Sequence, residues 1–100
     1  MGHKSLFKKL EGFDWDEANR FKSWKKHKIS YNECEEVFFN APLRIIHDEK
    51  HSINEKRFLA LGKTNRAKQL MISFTIRKNK LRVISARIQN KKERNEYEKY

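Results

Sequence analysis

Lys26 and His27 stand side by side, Glu55 immediately precedes Lys56 and Arg57, and Lys and Arg together supply 24 of 100 residues. An imidazole is the side chain that exchanges a proton most readily near neutral pH, and an adjacent ammonium adds positive charge beside it. The structural alternative for a Lys-His pair is a helix C-terminus, which cations stabilise by roughly 0.3 to 1 kcal/mol. Glu55 is a candidate proton acceptor, although two neighbouring cations hold a carboxylate's pKa down and make it a poorer base. His3, His27, His47 and His51 with Asp48 show no recognised metal-ligand spacing, so neither metal nor cofactor is expected. Cys34, followed at helical spacing by Val37 and Phe38, reads as a buried thiol and not as a nucleophile.

The charge is uneven. Residues 1–50 hold 10 basic and 9 acidic residues, so of the total of 24 and 13 the second half keeps 14 and 4, a net of +10 within an overall +11. Clustered Lys and Arg are what a phosphate backbone rewards, through counterion release. A solubilising surface is the other reading. A hydrophobic share of 37% with seven Phe and two Trp suffices for a small core, so the chain is a folded basic domain and not a tail. A single Cys excludes an internal disulfide and points to a reducing cytoplasm. There is no apolar run long enough to span a membrane, and residues 1–12 are too lysine-rich for a signal peptide.

The elements that must position these groups follow from periodicity. Asp14 with Glu17 forms a capping-box pattern, and Ala18, Phe21 and Trp24 make an apolar stripe, predicting a helix from about Asp16 to His27. Ser30 with Glu33 caps a second helix from Tyr31 to about Phe39, stopped by Asn40-Ala41-Pro42. Leu43 to Asp48 alternates as a strand, Glu49 to Asn54 is a loop, and Arg57 to Leu61 is a strand ending at Gly62. Gln69 to Arg77 places Leu70, Ile72, Phe74 and Ile76 inward and Gln69, Ser73, Thr75 and Arg77 outward. Lys78-Asn79-Lys80 is a hairpin loop leading to Leu81 to Ile88, apolar at both parities and therefore expected to be central. Asn90 with Glu93 opens a last helix to about Lys99. The expected fold is α+β: two N-terminal helices packed on a four-stranded, mostly antiparallel sheet, with a C-terminal helix. Residues 13–100 form one domain, and 1–12 an extension in which Leu6 to Leu10 is a short leader element.

In order and at matching spacing, Phe13-Asp-Trp-Asp-Glu-Ala18, Lys26-His27, Ser30, Val37-Phe38-Phe39, Asp48 with His51-Ser52, Glu55-Lys-Arg57-Phe58, Gly62, Arg82-Val-Ile-Ser-Ala-Arg87, Lys92-Glu93-Arg94 and Tyr97-Glu98 cover about residues 13–98. This combination resembles the BrnT toxins, whose fold resembles the RelE-like ribonuclease toxins of bacterial type II toxin-antitoxin modules. One departure is Lys28, where that family usually has Gly; if the position needs left-handed backbone, the cost is about 1 kcal/mol. The resemblance implies endoribonuclease activity, with growth arrest as its outcome; since the sequence offers no metal-ligand cluster, metal-independent cleavage by 2′-OH attack is expected. It also implies a BrnA-like ribbon-helix-helix antitoxin, two toxins joining an antitoxin dimer, with DNA contacted only through that partner.

The resemblance places Arg87 at the most constant C-terminal strand position, as a phosphate clamp; the competing role is a salt bridge to Glu93. Arg57 would be a second clamp or a strand-end surface residue, Glu55 a proton acceptor, and His27 an acid or base beside Lys26. Arg82, Lys91, Lys92 and Arg94 would contact the RNA backbone. A noncatalytic RNA-binding module, or a corepressor acting through the antitoxin, accounts for the same charge.

Overall fold

The computed structural model describes residues 7–99. Its elements are α1 (Glu17–Arg20), α2 (Lys22–His27), α3 (Tyr31–Val37), β1 (Arg44–His47), a 3-10 turn (Glu49–His51), β2 (Phe58–Lys63), β3 (Gln69–Arg77), β4 (Lys80–Ile88) and α4 (Lys91–Glu98). The strands pair antiparallel in the order β1-β2-β3-β4, an α+β arrangement as expected. Leu6, where the leader element was expected to start, lies outside the described residues; Phe7 and Leu10 pack against the core.

The first helix differs from expectation in three connected ways. Its N-cap is Asp16, paired reciprocally with Asn19 (2.9 and 2.7 Å), and not Asp14 with Glu17. Asp14 is drawn into the sheet instead: its N–H donates to the Leu81 carbonyl at 2.8 Å, and its carboxylate lies 3.4 Å from Arg82. The helix then breaks at Phe21 (φ −107°, ψ 3°). The apolar stripe does not meet the core, and Phe21 and Trp24 each remain 47% exposed. Contact with the sheet is polar: the Ala86 N–H donates to Ser23 Oγ (3.0 Å), Asn19 Nδ2 to the Val83 carbonyl (3.3 Å) and Lys22 Nζ to the Ile84 carbonyl (3.2 Å).

β4, expected to be central, is instead an edge strand. Its open side is occupied by α1, α2 and the Phe13–Leu81 bridge, which blunt an edge that would otherwise offer unpaired backbone groups. Its apolar residues at both parities reflect a bulge, since Ser73 faces Ser85 but Phe74 faces Val83, leaving Ile84 without a partner in register.

One sheet face carries the main core: Ala60, Leu70, Ile72, Phe74, Val83 and Ala86 against Ile29, Cys34 and Val37. The other face buries Leu61 and Met71 under Tyr97 of α4, whose hydroxyl donates to the Pro42 carbonyl at 2.7 Å. Thr75, expected to point outward, is buried because its Oγ1 donates to the Lys56 carbonyl (2.7 Å). β2 continues past Gly62 to Lys63. A Cβ at Gly62 would lie 2.6 Å from Val37 Cγ1, so close helix-strand approach, and not strand termination, requires glycine there.

Lys28, Ala67, Lys78 and Asn79 have left-handed backbone. Lys78 and Asn79 have φ of 51° and 65°, the pattern of a type I′ hairpin. Lys28 ends α2 at φ 58°, ψ 33°, with its N–H bonded to the Ser23 and Trp24 carbonyls. Lys28→Gly is therefore expected to stabilise the fold by about 0.5 to 1 kcal/mol, raising Tm by a few degrees in a thermal melt.

Candidate active site

Residues 22, 23, 26 and 27 recur one turn apart on α2, while Ser85 and Arg87 alternate along β4. Because α2 is bonded along β4, these six side chains line a single cleft of about 220 Å³. Lys26, His27 and Arg87, from distant parts of the chain, are thereby brought together.

Arg87 is oriented by Glu93. Its Nη1 and Nη2 donate to Glu93 Oε1 and Oε2 at 2.8 and 2.9 Å, and Nη1 also donates to the Ile88 carbonyl at 3.1 Å. Glu93 in turn completes the capping box of α4, accepting from the Asn90 N–H at 2.9 Å. Burial would raise the Glu93 pKa, but the Arg87 fork and the Asn90 N–H outweigh it and hold the carboxyl below its ordinary value. The salt bridge considered for Arg87 is thus present, yet it occupies one edge of the guanidinium. Among the described residues nothing bonds the Nε–H, so the Nε/Nη2 edge retains the side-on geometry that takes a phosphate bidentately.

Glu55 and Arg57 lie elsewhere, in a wider cleft of about 560 Å³ that also includes Lys50, His51, Ile53 and Arg77. Glu55 is gripped by Arg77 through Nε and Nη2 (2.9 and 2.8 Å), with Arg57 Nη2 at a looser 3.5 Å. The Arg77 hydrogen bonds above all lower its pKa, which leaves it poorly suited to accept a proton near neutrality. Arg57 is fixed through its backbone: its N–H donates to Ser52 Oγ (2.8 Å), and its carbonyl accepts from the Asp48 N–H (2.8 Å). Among the described residues its buried Nε has no hydrogen-bond partner.

The remaining cations differ in how far they are committed. Arg82 is held by Asp14 (3.4 Å) and Asp16 (2.9 Å), and Arg94 Nη1 donates to the Gln89 carbonyl at the start of its own helix. Lys91 and Lys92 are exposed on the first turn of α4. Lys22 and Arg77 were not singled out from sequence. Lys22 lies one helical turn before Lys26, a signal that was available, whereas the role of Arg77 depends on a loop folding back over the end of β3. Cys34 is buried, and desolvation pushes its thiol up to about 12, which removes it as a nucleophile. Among the described residues no three His, Cys, Asp or Glu side chains gather as a metal site requires. No helix among them is long and apolar enough to cross a membrane.

Glu93, Glu55, Asp16 and Glu33 all have depressed pKa values. Their contribution to stability is complete above the ordinary Glu value of 4.5 and is lost as pH falls through the lower folded values. Tm should stay level from neutral pH down to about that value and then drop; Glu93→Gln should lower Tm at neutral pH and reduce the acid slope.

The chain is thus a small cationic α+β fold with an imidazole, ammonium groups and a half-free guanidinium around one cleft. The family model described as the ribonuclease toxin, BrnT, of type II toxin-antitoxin systems matches residues 15–93, and the chain belongs to that family. No curated protein matches it.

Proposed function

We propose that RNA is cleaved in the cleft of Lys26, His27 and Arg87, by attack of the ribose 2′-OH on the adjacent phosphorus and without a metal ion. The 2′-O–P bond forms and the P–O5′ bond breaks, leaving a 2′,3′-cyclic phosphate and a 5′-OH. His27 handles one of the two proton transfers, taking the 2′-OH proton or delivering one to O5′, and water handles the other. Arg87 and Lys26 bear the extra charge of the phosphorane. The observation that carries this reading is that one cleft joins an acid-base side chain to a guanidinium whose phosphate-binding edge is open. Glu55 as base is the weaker alternative, because Arg77 holds it ionised and hydrogen-bonded.

The resemblance adds a partner to the proposal: a BrnA-like ribbon-helix-helix antitoxin in the cytoplasm, two toxins with an antitoxin dimer. The +10 half suits an acidic antitoxin segment that occludes the phosphate site and is steered to it. Lys91, Lys92, Arg82 and Arg94 supply docking charge, and residues 13–100 act as one toxin domain, with Phe7 and Leu10 of the 1–12 extension packed against its core. The proposal requires a neighbouring reading frame that encodes a small acidic protein, and coexpression with it should relieve growth arrest.

The test is incubation of the purified protein with bulk RNA, free and ribosome-bound, in EDTA. Fragmentation is expected. Intact RNA bound with steep salt dependence would overturn the proposal in favour of a noncatalytic module.

A further inference from the structure

The second cleft holds more positive charge than its carboxylate answers. Arg77 and Glu55 form a complete fork, so Arg57, at 3.5 Å from the same carboxylate, is a surplus cation. Among the described residues its buried Nε–H has no partner, a state that costs free energy until an acceptor arrives. Lys50 adds a further exposed cation to the rim.

Strand register relates this cleft to the first. Arg57 precedes β2 by one residue and shares the parity of Leu59 and Leu61; Leu61 faces Met71, and Met71 faces Arg87. Both arginines therefore belong to the same sheet face, separated by four residues along β2 and two strand spacings, roughly 15 Å between backbone positions. Between them the register lays the row Ile46, Leu59, Ser73 and Ser85 across the four strands. Leu59, Ser73 and Ser85 are half-buried and Ile46 is exposed, so this floor is open to a strand lying across it.

We infer that the Arg57 cleft is a subsite for a second, non-reacting phosphate of the same RNA strand, held while the scissile phosphate sits at Arg87. This inference rests on the reaction proposed for the Arg87 cleft. Arg57 is then a positioning residue, and the enzyme favours RNA long enough to reach both clefts. A dinucleotide fills only the first.

The test compares wild type with Arg57→Gln and Lys50→Gln on a dinucleotide and on a hexanucleotide. A fully 2′-O-methylated hexanucleotide, which cannot supply the attacking hydroxyl, measures binding alone. The wild type should cut the hexanucleotide with the higher kcat/KM. Arg57→Gln should reduce that value about ten-fold through KM, as loss of a charged hydrogen bond predicts, and leave the dinucleotide unaffected. Lys50→Gln should change it in the same direction by less. For the methylated strand, the slope of log affinity against log salt should fall by about one in Arg57→Gln. Equal losses on both substrates, or methylated RNA bound alike by wild type and variant, would overturn the subsite. If no RNA is cut by any of these proteins, the binding comparison still decides, so failure of the reaction and failure of the subsite are distinguishable.

Discussion

Arg87→Ala is expected to slow RNA cleavage by about 10²- to 10³-fold, the range for removing one preorganised donor from a developing oxyanion, while RNA binding changes only a few-fold. Binding survives because most of it comes from the remaining cations of the second half, among them Lys91 and Lys92, whose phosphate contacts are replaceable. Turnover falls because Arg87 is the guanidinium that lines this cleft, and its bidentate bond to Glu93 fixes the direction of its other edge. The substitution also strands Glu93 without its main partner, so the melting temperature must be measured alongside. Arg87→Lys separates the two effects: it retains charge near Glu93 and loses the planar fork, so stability should recover more than rate. A drop in binding as large as the drop in rate would instead make Arg87 a docking residue.

Phe74→Ala should have the largest effect on the fold, about 3 to 5 kcal/mol. Phe74 is fully buried, and its ring lies 5.2 Å from Phe38 and 5.4 Å from Phe58, with Phe7 at 6.3 Å. It therefore joins α3, β2, β3 and the segment preceding Gly12. Small domains have only about 5 to 15 kcal/mol of total stability, so the loss removes a large fraction of it. Urea denaturation should show a lower midpoint at an unchanged slope, and Phe74→Leu should lose about 1.5 kcal/mol or less if the cluster can repack. A Phe74→Ala midpoint close to wild type would mean that the aromatic cluster is not the centre of the core.

The contrast between these two residues shows what the sequence made legible. Phe74 stands in an alternating run whose parity is local information, and β3 has the expected bounds, Gln69–Arg77. The capping boxes at Ser30 and Asn90 and the hairpin at Lys78-Asn79 are equally local, each needing only a few neighbouring residues. Asp14 and Asp16 were harder to separate. Both offer an N-cap carboxylate and both reach Arg82; what separates them is Leu81, far along the chain, whose carbonyl takes the Asp14 N–H. The same holds for the exposed stripe of α1 and α2: its periodicity is real, but the helix docks through hydrogen bonds from and to a strand edge, which hydropathy does not encode.

Candidate site residues followed the same division. Lys26, His27 and Arg87 were identifiable by type and resemblance, but their sharing one cleft depends on how α2 lies along β4. The separation of Arg57 and Glu55 from them depends on strand register and on the fold of the 48–57 loop. Nothing local to Glu55 announces Arg77 as its main partner.

The chemical nature of the cut ends distinguishes 2′-OH attack from metal-assisted hydrolysis most directly. RNA fragments produced by the purified protein in EDTA should carry 2′,3′-cyclic phosphate (or its hydrolysis product) on one side and 5′-OH on the other. Fragments with 5′-phosphate and free 3′-OH ends, or cleavage that appears only when a divalent metal is supplied, would contradict it.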